Sequence, residues 1–460
     1  MERKNLILIL ASAGTFVEAL DIAIINLTIP SIQEQFGIGA ETVQWLQTLY
    51  VLFFGGFLII GGKLSDQIGR KTIFLWGSLI FLLTSLGAGL STDFITLAFF
   101  RALQGLGAAF IMPSAMSIVV NTFKGDQERN RAIGIFSSFA AIGSGSGLSL
   151  GGIISTYLSW HWVFLINVPV LLVTLIFAYQ YLPKDEKGAS EKTDLVSGIV
   201  LVLGLLSLTY GTHELIHIKE HPGMVLGSLV LAVVLLVSVV YRLKTASKPL
   251  IDLRLFRHTS LVVSNLNFVM LGAFFIGFLF LISLMLQKDM HYSAASAGLM
   301  LVPFSVMSAL VAKFILPHVS GRMDSSQMGI LGWAFMTGGA LSLLISLYCG
   351  HLLPLVLLGA ACISGIGMTF CFTALSVMTV QDVEAPDYGV VSSLGSTSYF
   401  LGAGIGLSFM TLMSQVFPSE AAVGSLSLII LISYAIIALS MLLYFISKAV
   451  KIRHGKRAVS

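Results

Sequence analysis

Gly62-Lys63-Leu64-Ser65-Asp66-Gln67-Ile68-Gly69-Arg70-Lys71 joins two apolar stretches, residues 43–62 before it and 72–91 after it. Each stretch is long enough to cross a bilayer, which takes about 20 apolar residues. Ten residues carrying two glycines and four charges leave room only for a tight turn between two membrane helices. Its basic residues Arg70 and Lys71 place that turn at the inner surface, where Lys and Arg accumulate.

The same reading extends in both directions. Apolar runs of spanning length lie near residues 5–30, 94–120, 131–154 and 162–182. Two more follow near 195–213 and 223–243, and six near 259–286, 295–316, 328–348, 352–379, 389–416 and 423–447. Lipid offers the backbone no hydrogen-bond partner, so each run is expected to be a helix. The runs are too long and too uniformly apolar for the alternating strands of a membrane barrel. Composition agrees: 56% of the 460 residues are hydrophobic and 10% are charged, against about a quarter charged in soluble domains.

Charge tests the topology. With the N-terminus inside, roughly 22 Lys and Arg fall in inner loops and tails and about two, Lys219 and Lys288, in outer loops. A wrong helix count would scramble this alternation. Both termini are therefore expected in the cytoplasm. With basic inner loops and no outer domain, the chain is expected in a bacterial inner membrane, a eukaryotic plasma membrane being the alternative. The N-terminal run passes through Asp21 and Asn26 to Pro30 without a small-residue cleavage site, and reads as a retained helix.

The expected fold class is an all-α integral membrane protein of about 14 transmembrane helices: two six-helix bundles plus an inserted helix pair. The polar stretch Lys184 to Asp194 and the basic stretch Arg242 to Arg257 set the divisions. Residues 1–183 form an N-terminal bundle, 184–257 the linker and helices 7 and 8, and 258–460 a C-terminal bundle and tail. The halves echo one another. Gly321-Arg322-Met323-Asp324 repeats the first turn, and Gly402, Gly404 and Gly406 repeat Gly143, Gly147, Gly151 and Gly152. Glycines so spaced let helices pack closely.

A net charge of +4 and scattered basic residues argue against nucleic acid. Cys349, Cys362 and Cys371 sit in or beside apolar runs and offer no disulfide framework. His213, Glu214, His217 and His221 lack metal-ligand spacing and read as a solvated outer loop. No P-loop and no nucleophile–base constellation stands out, so neither ATP-driven pumping nor catalysis is expected, and no cofactor.

The intramembrane charges carry the candidate mechanism. Glu18 and Asp21 fall three apart on helix 1 and share a side. Each costs roughly 2.5–3.5 kcal/mol at mid-membrane on insertion scales, so such acids are expected to face a bundle interior, and Asp21, Glu18 or both to alternate between a proton and a cationic substrate group. Arg101 on helix 4 needs acceptors, and Gln104 follows one turn later. A static pair between Arg101 and the acids is the competing reading.

The opening turn resembles the G-x-L-x-D-x-x-G-R-K loop of the major facilitator superfamily. Other stretches resemble its fourteen-span drug–proton antiporters: Leu20-Asp21 through Asn26 to Pro30, Arg101-Ala102-Leu103-Gln104-Gly105-Leu106-Gly107, and Trp160 through Asn167 to Pro169. Pro249 to Phe256, and Tyr292-Ser293 through Gly298 to Pro303, are similar too. The resemblance implies that Gly62, Asp66, Gly69, Arg70 and Lys71 form a gating loop; by its own position close after one helix, Asp66 is also placed to cap the next. It implies that Asp21, Asn26, Arg101 and Gln104 serve proton coupling and substrate; Glu18 joins them on position alone. One departure is that Leu148 stands where the family's helix 5 pattern has proline.

The expected function is secondary active transport: proton-coupled efflux of amphipathic or cationic drug-like small molecules by alternating access. The expected partners are that substrate, protons and the lipid bilayer. The alternative, prompted by Leu148, is uptake or flipping of a metabolite or lipid.

Overall fold

A peptide group in lipid must find its hydrogen-bond partner within the chain, and among the described residues the backbone does so with helices and no β-strand. The computed structural model describes residues 3–124, 126–185, 194–246, 249–320, 322–350, 352–383, 388–416, 432 and 435–445.

Thirteen described helices are long and apolar enough to span a membrane. They are α1 (Arg3–Leu27), α2 (Thr42–Ile68), α3 (Arg70–Gly89), α4 (Phe94–Thr122), α5 (Arg131–Tyr157), α6 (His161–Tyr181) and α7 (Leu195–Thr212). The rest are α8 (Pro222–Thr245), α9 (Thr259–Asp289), α10 (Ala294–Ile315), α11 (Ser325–Tyr348), α12 (Leu353–Val380) and α13 (Val390–Met410). In the fourteenth expected stretch only the apolar helix Ala435–Phe445 and Ile432 are described. Its remainder, the basic tail, Gly321, and residues 186–193 of the linker lie outside the described residues, as do the side chains of His213 and His217.

The packing repeats. In the first half α1 lies on α5 and α4, α2 on α4, and α3 on α4. In the second, α9 lies on α13 and α12, α10 on α12, and α11 on α12, the same pairs eight helices later. The halves meet where α2 packs on α13 and α5 on α10, a reciprocal exchange. Helices α7 and α8 pack on each other, and α7 also lies along α2 and α13.

Glycines set these crossings. Gly143, Gly147 and Gly151 lie against the carbonyls of Phe16, Leu20 and Ile24, while Gly152 turns away to Ala294 of α10. In the second half Gly402 and Gly406 lie against the carbonyls of Val269 and Ala273 of α9, and Gly404 turns to Leu52 of α2. A Cβ at Gly147 would stand 2.7 Å from the Leu20 carbonyl oxygen, so these residues allow backbone-to-backbone approach. Leu148 leaves its helix unbroken from Asp126 to Tyr157. Its carbonyl lies on Gly298 of α10, 2.7 Å from where a Cβ would be.

Candidate functional site

Helix α4 starts at Asp93, whose side chain accepts from the Thr96 amide at 2.9 Å and its hydroxyl at 2.7 Å. Two turns later Arg101 points into the first bundle, fully buried. One Nη donates to Asp21 Oδ2 at 2.5 Å and to Gln104 Oε1 at 2.9 Å; Nε donates to the Leu46 carbonyl at 3.3 Å. Gln104 donates to Asp21 Oδ1 at 3.3 Å and to Ser85 Oγ at 2.8 Å. Asn167 of α6 donates to Asp21 Oδ1 at 2.9 Å. The guanidinium lies 4.3 Å from the Tyr50 ring centre and 5.7 Å from that of Phe164. Gly105 makes the first contact possible, because it packs on the Tyr50 carbonyl and brings α2 against α4.

Asp21 is thus held by three donors from two helices, and its charge is balanced by Arg101. Bare burial of either ion would be costly; the geometry repays it with charge-assisted bonds. The observed geometry thus pairs Arg101 with Asp21 and not with Glu18. Ser85, Asn167 and Tyr50 complete the cluster and escaped the sequence reading. Asn167 left a signal, an amide within an apolar run and within the Trp160–Pro169 stretch. Tyr50, inside the apolar run 43–62, left none.

Glu18 does not join this cluster. Three residues advance a helix by 300°, and the missing 60° takes Glu18 off the Arg101 face and into a cavity of about 260 Å³ between the two halves. Among the described residues it is the one carboxylate lining that cavity, 5% exposed, and it makes no hydrogen bond or ion pair with any of them. Facing it are Ser144, Ser305, Ser308, Ser364 and Ser396, with an apolar wall of Phe275, Phe372, Tyr399 and Phe400. Ser364 sits in a π-helical stretch of α12, Ala361–Gly367, a distortion often found at functional sites. A larger hollow of about 560 Å³ lies between α3 and α6 at Trp76 and Tyr179, but no charged side chain among the described residues lines it.

Asn26 is separate again. Its amide donates to the Ile22 and Ala23 carbonyls at 3.0 and 3.2 Å, where α1 tightens into a 3₁₀ turn. Its backbone carbonyl accepts from Ser283 of α9 at 2.7 Å, a tie between the halves.

The opening turn behaves differently from expectation. Asp66 lies inside α2 and does not cap α3, whose N-cap is Gly69, without a side-chain bond. Asp185, just beyond α6, does so instead. It accepts from the Lys71 amide at 2.8 Å, the Thr72 amide at 3.0 Å and the Thr72 hydroxyl at 2.7 Å. Lys71 reciprocates, its Nζ donating to the Tyr179 and Leu182 carbonyls at 2.7 and 3.1 Å at the end of α6. Gly69 has φ 127° and lies directly against Asp185, where any Cβ would collide. Gly62 lies near Ser393 of α13 and Pro113 of α4, with room for a Cβ.

Residues 11–407 match the family model of the Major Facilitator Superfamily. The chain belongs to that superfamily. Relatives within reach include the cephamycin export protein CmcT of Amycolatopsis lactamdurans, 33% identical over 88% of this chain and 83% of that protein. The multidrug resistance protein Stp of Mycobacterium tuberculosis (strain ATCC 25618 / H37Rv) is 29% identical over 89% and 76%. The puromycin resistance protein pur8 of Streptomyces alboniger is 30% identical over 88% and 81%. Among solved structures, the peptide transporter POT in complex with sulfate superposes with a TM-score of 0.71 at 16% identity, over 97% of this chain and 94% of that one. That likeness shows the superfamily's fold in this chain and no more.

Proposed function

We propose that the protein exports amphipathic, cation-bearing small molecules in exchange for protons, by alternating access to the cavity between its halves. The observation that carries this is Glu18: a carboxylate with no partner among the described residues, in a cavity whose other described lining is apolar or hydroxyl-bearing. Such a group binds a proton or a cationic substrate group, one excluding the other. The phenyl wall takes the apolar body of the substrate, and the serines offer adaptable hydrogen bonds. The relatives' names, a cephamycin export protein and multidrug and puromycin resistance proteins, agree with export of drug-like compounds.

Asp21, Arg101 and Gln104 hold the second ionisable centre, 0% exposed and balanced, so a proton reaching Asp21 would release Arg101 from its ion pair. The halves, residues 1–183 and 258–460, rock about the α2–α13 and α5–α10 contacts, with 184–257 as the linking segment. Gly62, Asp66, Gly69, Arg70 and Lys71 act as a gate on the cytoplasmic face, in an inner membrane with both termini inside. The energy suffices: one pH unit supplies about 1.4 kcal/mol per proton, and 100 mV adds about 2.3 per charge.

The test uses inside-out vesicles holding an imposed pH gradient and reads proton release on adding lipophilic cations and neutral drugs. Release is expected from wild type and not from a normally inserted Glu18→Gln. Absence of release from wild type with every compound would sink the exporter reading and favour uptake or lipid flipping.

A further inference from the structure

A file of rings runs from the buried ion pair to the cavity. The Arg101 guanidinium sits 4.3 Å from the Tyr50 ring; Tyr50 meets Phe54 edge-on at 6.0 Å; Phe54 meets Phe400 of α13 at 4.2 Å. Phe400 meets Tyr399 at 5.2 Å, and Tyr399 meets Phe372 at 6.0 Å. The last three line the cavity. Tyr50 and Phe54 are fully buried, and the Tyr50 hydroxyl has no hydrogen-bond partner among the described residues, so what Tyr50 presents to Arg101 is its ring. The Phe54–Phe400 contact crosses from one half to the other. Gly55 permits it, since a Cβ there would stand 2.6 Å from that of Phe400.

We infer that Tyr50 is a positioning residue for transport, linking the protonation of Asp21 to the opening of the cavity through the Tyr50–Phe54–Phe400 contact. This rests on the proposed role of Asp21 in proton exchange. While Asp21 is ionised, Arg101 is satisfied chiefly by the carboxylate. Once Asp21 takes a proton, the cation keeps Gln104, the Leu46 carbonyl and the ring faces of Tyr50 and Phe164, and its pull on Tyr50 grows. A close-packed file passes a small shift on instead of absorbing it. Among the described residues the other charged or titratable groups facing Asp21 are three. Glu18 lies on its own helix, Arg101 on α4 and Tyr50 on α2. Helix α3 presents Ser85, α6 presents Asn167 and Phe164, and α5 meets α1 through Gly143 and Gly147.

The experiment needs no substrate. In the full chain with Cys349, Cys362 and Cys371 replaced by Ser, Ser396→Cys in the cavity wall is labelled with a maleimide across a range of pH. Wild-type background should show a pH midpoint in labelling rate. Tyr50→Leu, which removes the ring, should lower it by about one unit, a tenfold weaker proton affinity. Tyr50→Phe should restore it. Phe400→Leu cuts the file beyond Tyr50 and should flatten the pH dependence of labelling, and Phe54→Leu, which should do the same, serves if Tyr50→Leu fails to insert. The inference is overturned by a wild-type labelling rate independent of pH, by an unmoved midpoint in Tyr50→Leu, by Tyr50→Phe matching Tyr50→Leu, or by a pH dependence unchanged in Phe400→Leu. Proton release in vesicles, measured in parallel, separates failure of the exporter reading from failure of this link.

Discussion

Removing one partner of the Arg101–Asp21 pair should cost more than removing both. Arg101 is 0% exposed and gives Asp21 its shortest bond, 2.5 Å. In Arg101→Met the carboxylate keeps only Gln104 at 3.3 Å and Asn167 at 2.9 Å, neither carrying charge. An uncompensated buried ion costs about 3–5 kcal/mol. Asp21→Leu leaves the guanidinium with Gln104 and the Leu46 carbonyl, and falls in the same range. In the double variant no stray charge remains. Gln104 retains Ser85 at 2.8 Å through its amide nitrogen, but its Oε1 loses the Arg101 donor and the Asn167 Nδ2 loses Asp21. Each unmet buried group costs about 1–3 kcal/mol, and each is already unmet in one of the single variants, where a stray charge is added to it. The double variant should therefore be more stable than either single one. Equilibrium unfolding of the four proteins in bicelles gives the cycle directly. If the double variant loses the full sum of the two singles, the residues do not compensate one another, and the reasoning about this pair fails.

Three further outcomes follow from the packing and the loops. Gly147→Ala places a Cβ 2.7 Å from the Leu20 carbonyl and 2.8 Å from the Ala23 Cβ, next to Asp21. It should cost about 1–3 kcal/mol in the same unfolding assay, whereas Gly134→Ala, with nothing within 4 Å, should be close to neutral. Asp185→Ala removes the α3 cap and should cost about 0.5–2 kcal/mol, with faster hydrogen exchange at the Lys71 and Thr72 amides; unchanged exchange would discount the cap. Asp194, at the start of α7, is raised by partial burial, but bonds from Arg242 of α8 at 2.7 Å and from Ser197 outweigh this and hold it below its ordinary 3.8. A depressed folded value means its stabilisation is present above 3.8 and disappears as pH falls through the folded value. Exchange at the α7 N-terminus should accelerate in that acidic window in wild type, and Asp194→Asn should remove the acceleration.

The two halves use one architecture for different chemistry. The glycine contacts align Leu20 with Ala273, so Phe274 occupies the place of Asp21. Phe274 is fully buried and meets the edge of Trp333 at 6.4 Å, where the first half has its ion pair. The intramembrane charges of the site thus belong to the first half, and most of the aromatic wall of the cavity to the second.

Residue order alone carried the membrane, the helices, their number to within one described span, and the family. These follow from local rules: lipid tolerates long apolar helices, and basic residues collect on one side. The spacing of Gly143, Gly147 and Gly151 announced close packing, and Asp21, Arg101 and Gln104 announced a buried polar site. Only tertiary structure could choose the partners. It gave Asp21 to Arg101 and Asn167, and turned Glu18 towards the cavity although it shares a helix side on paper. It brought Asp185 across more than a hundred residues to cap α3, in place of Asp66 close by. It also placed Tyr50, an ordinary aromatic in an apolar run, on the guanidinium. A linear motif records which side chains exist near one another along the chain. Sixty degrees of helix rotation and the closeness that Gly105 and Gly55 allow between backbones decide which of them meet.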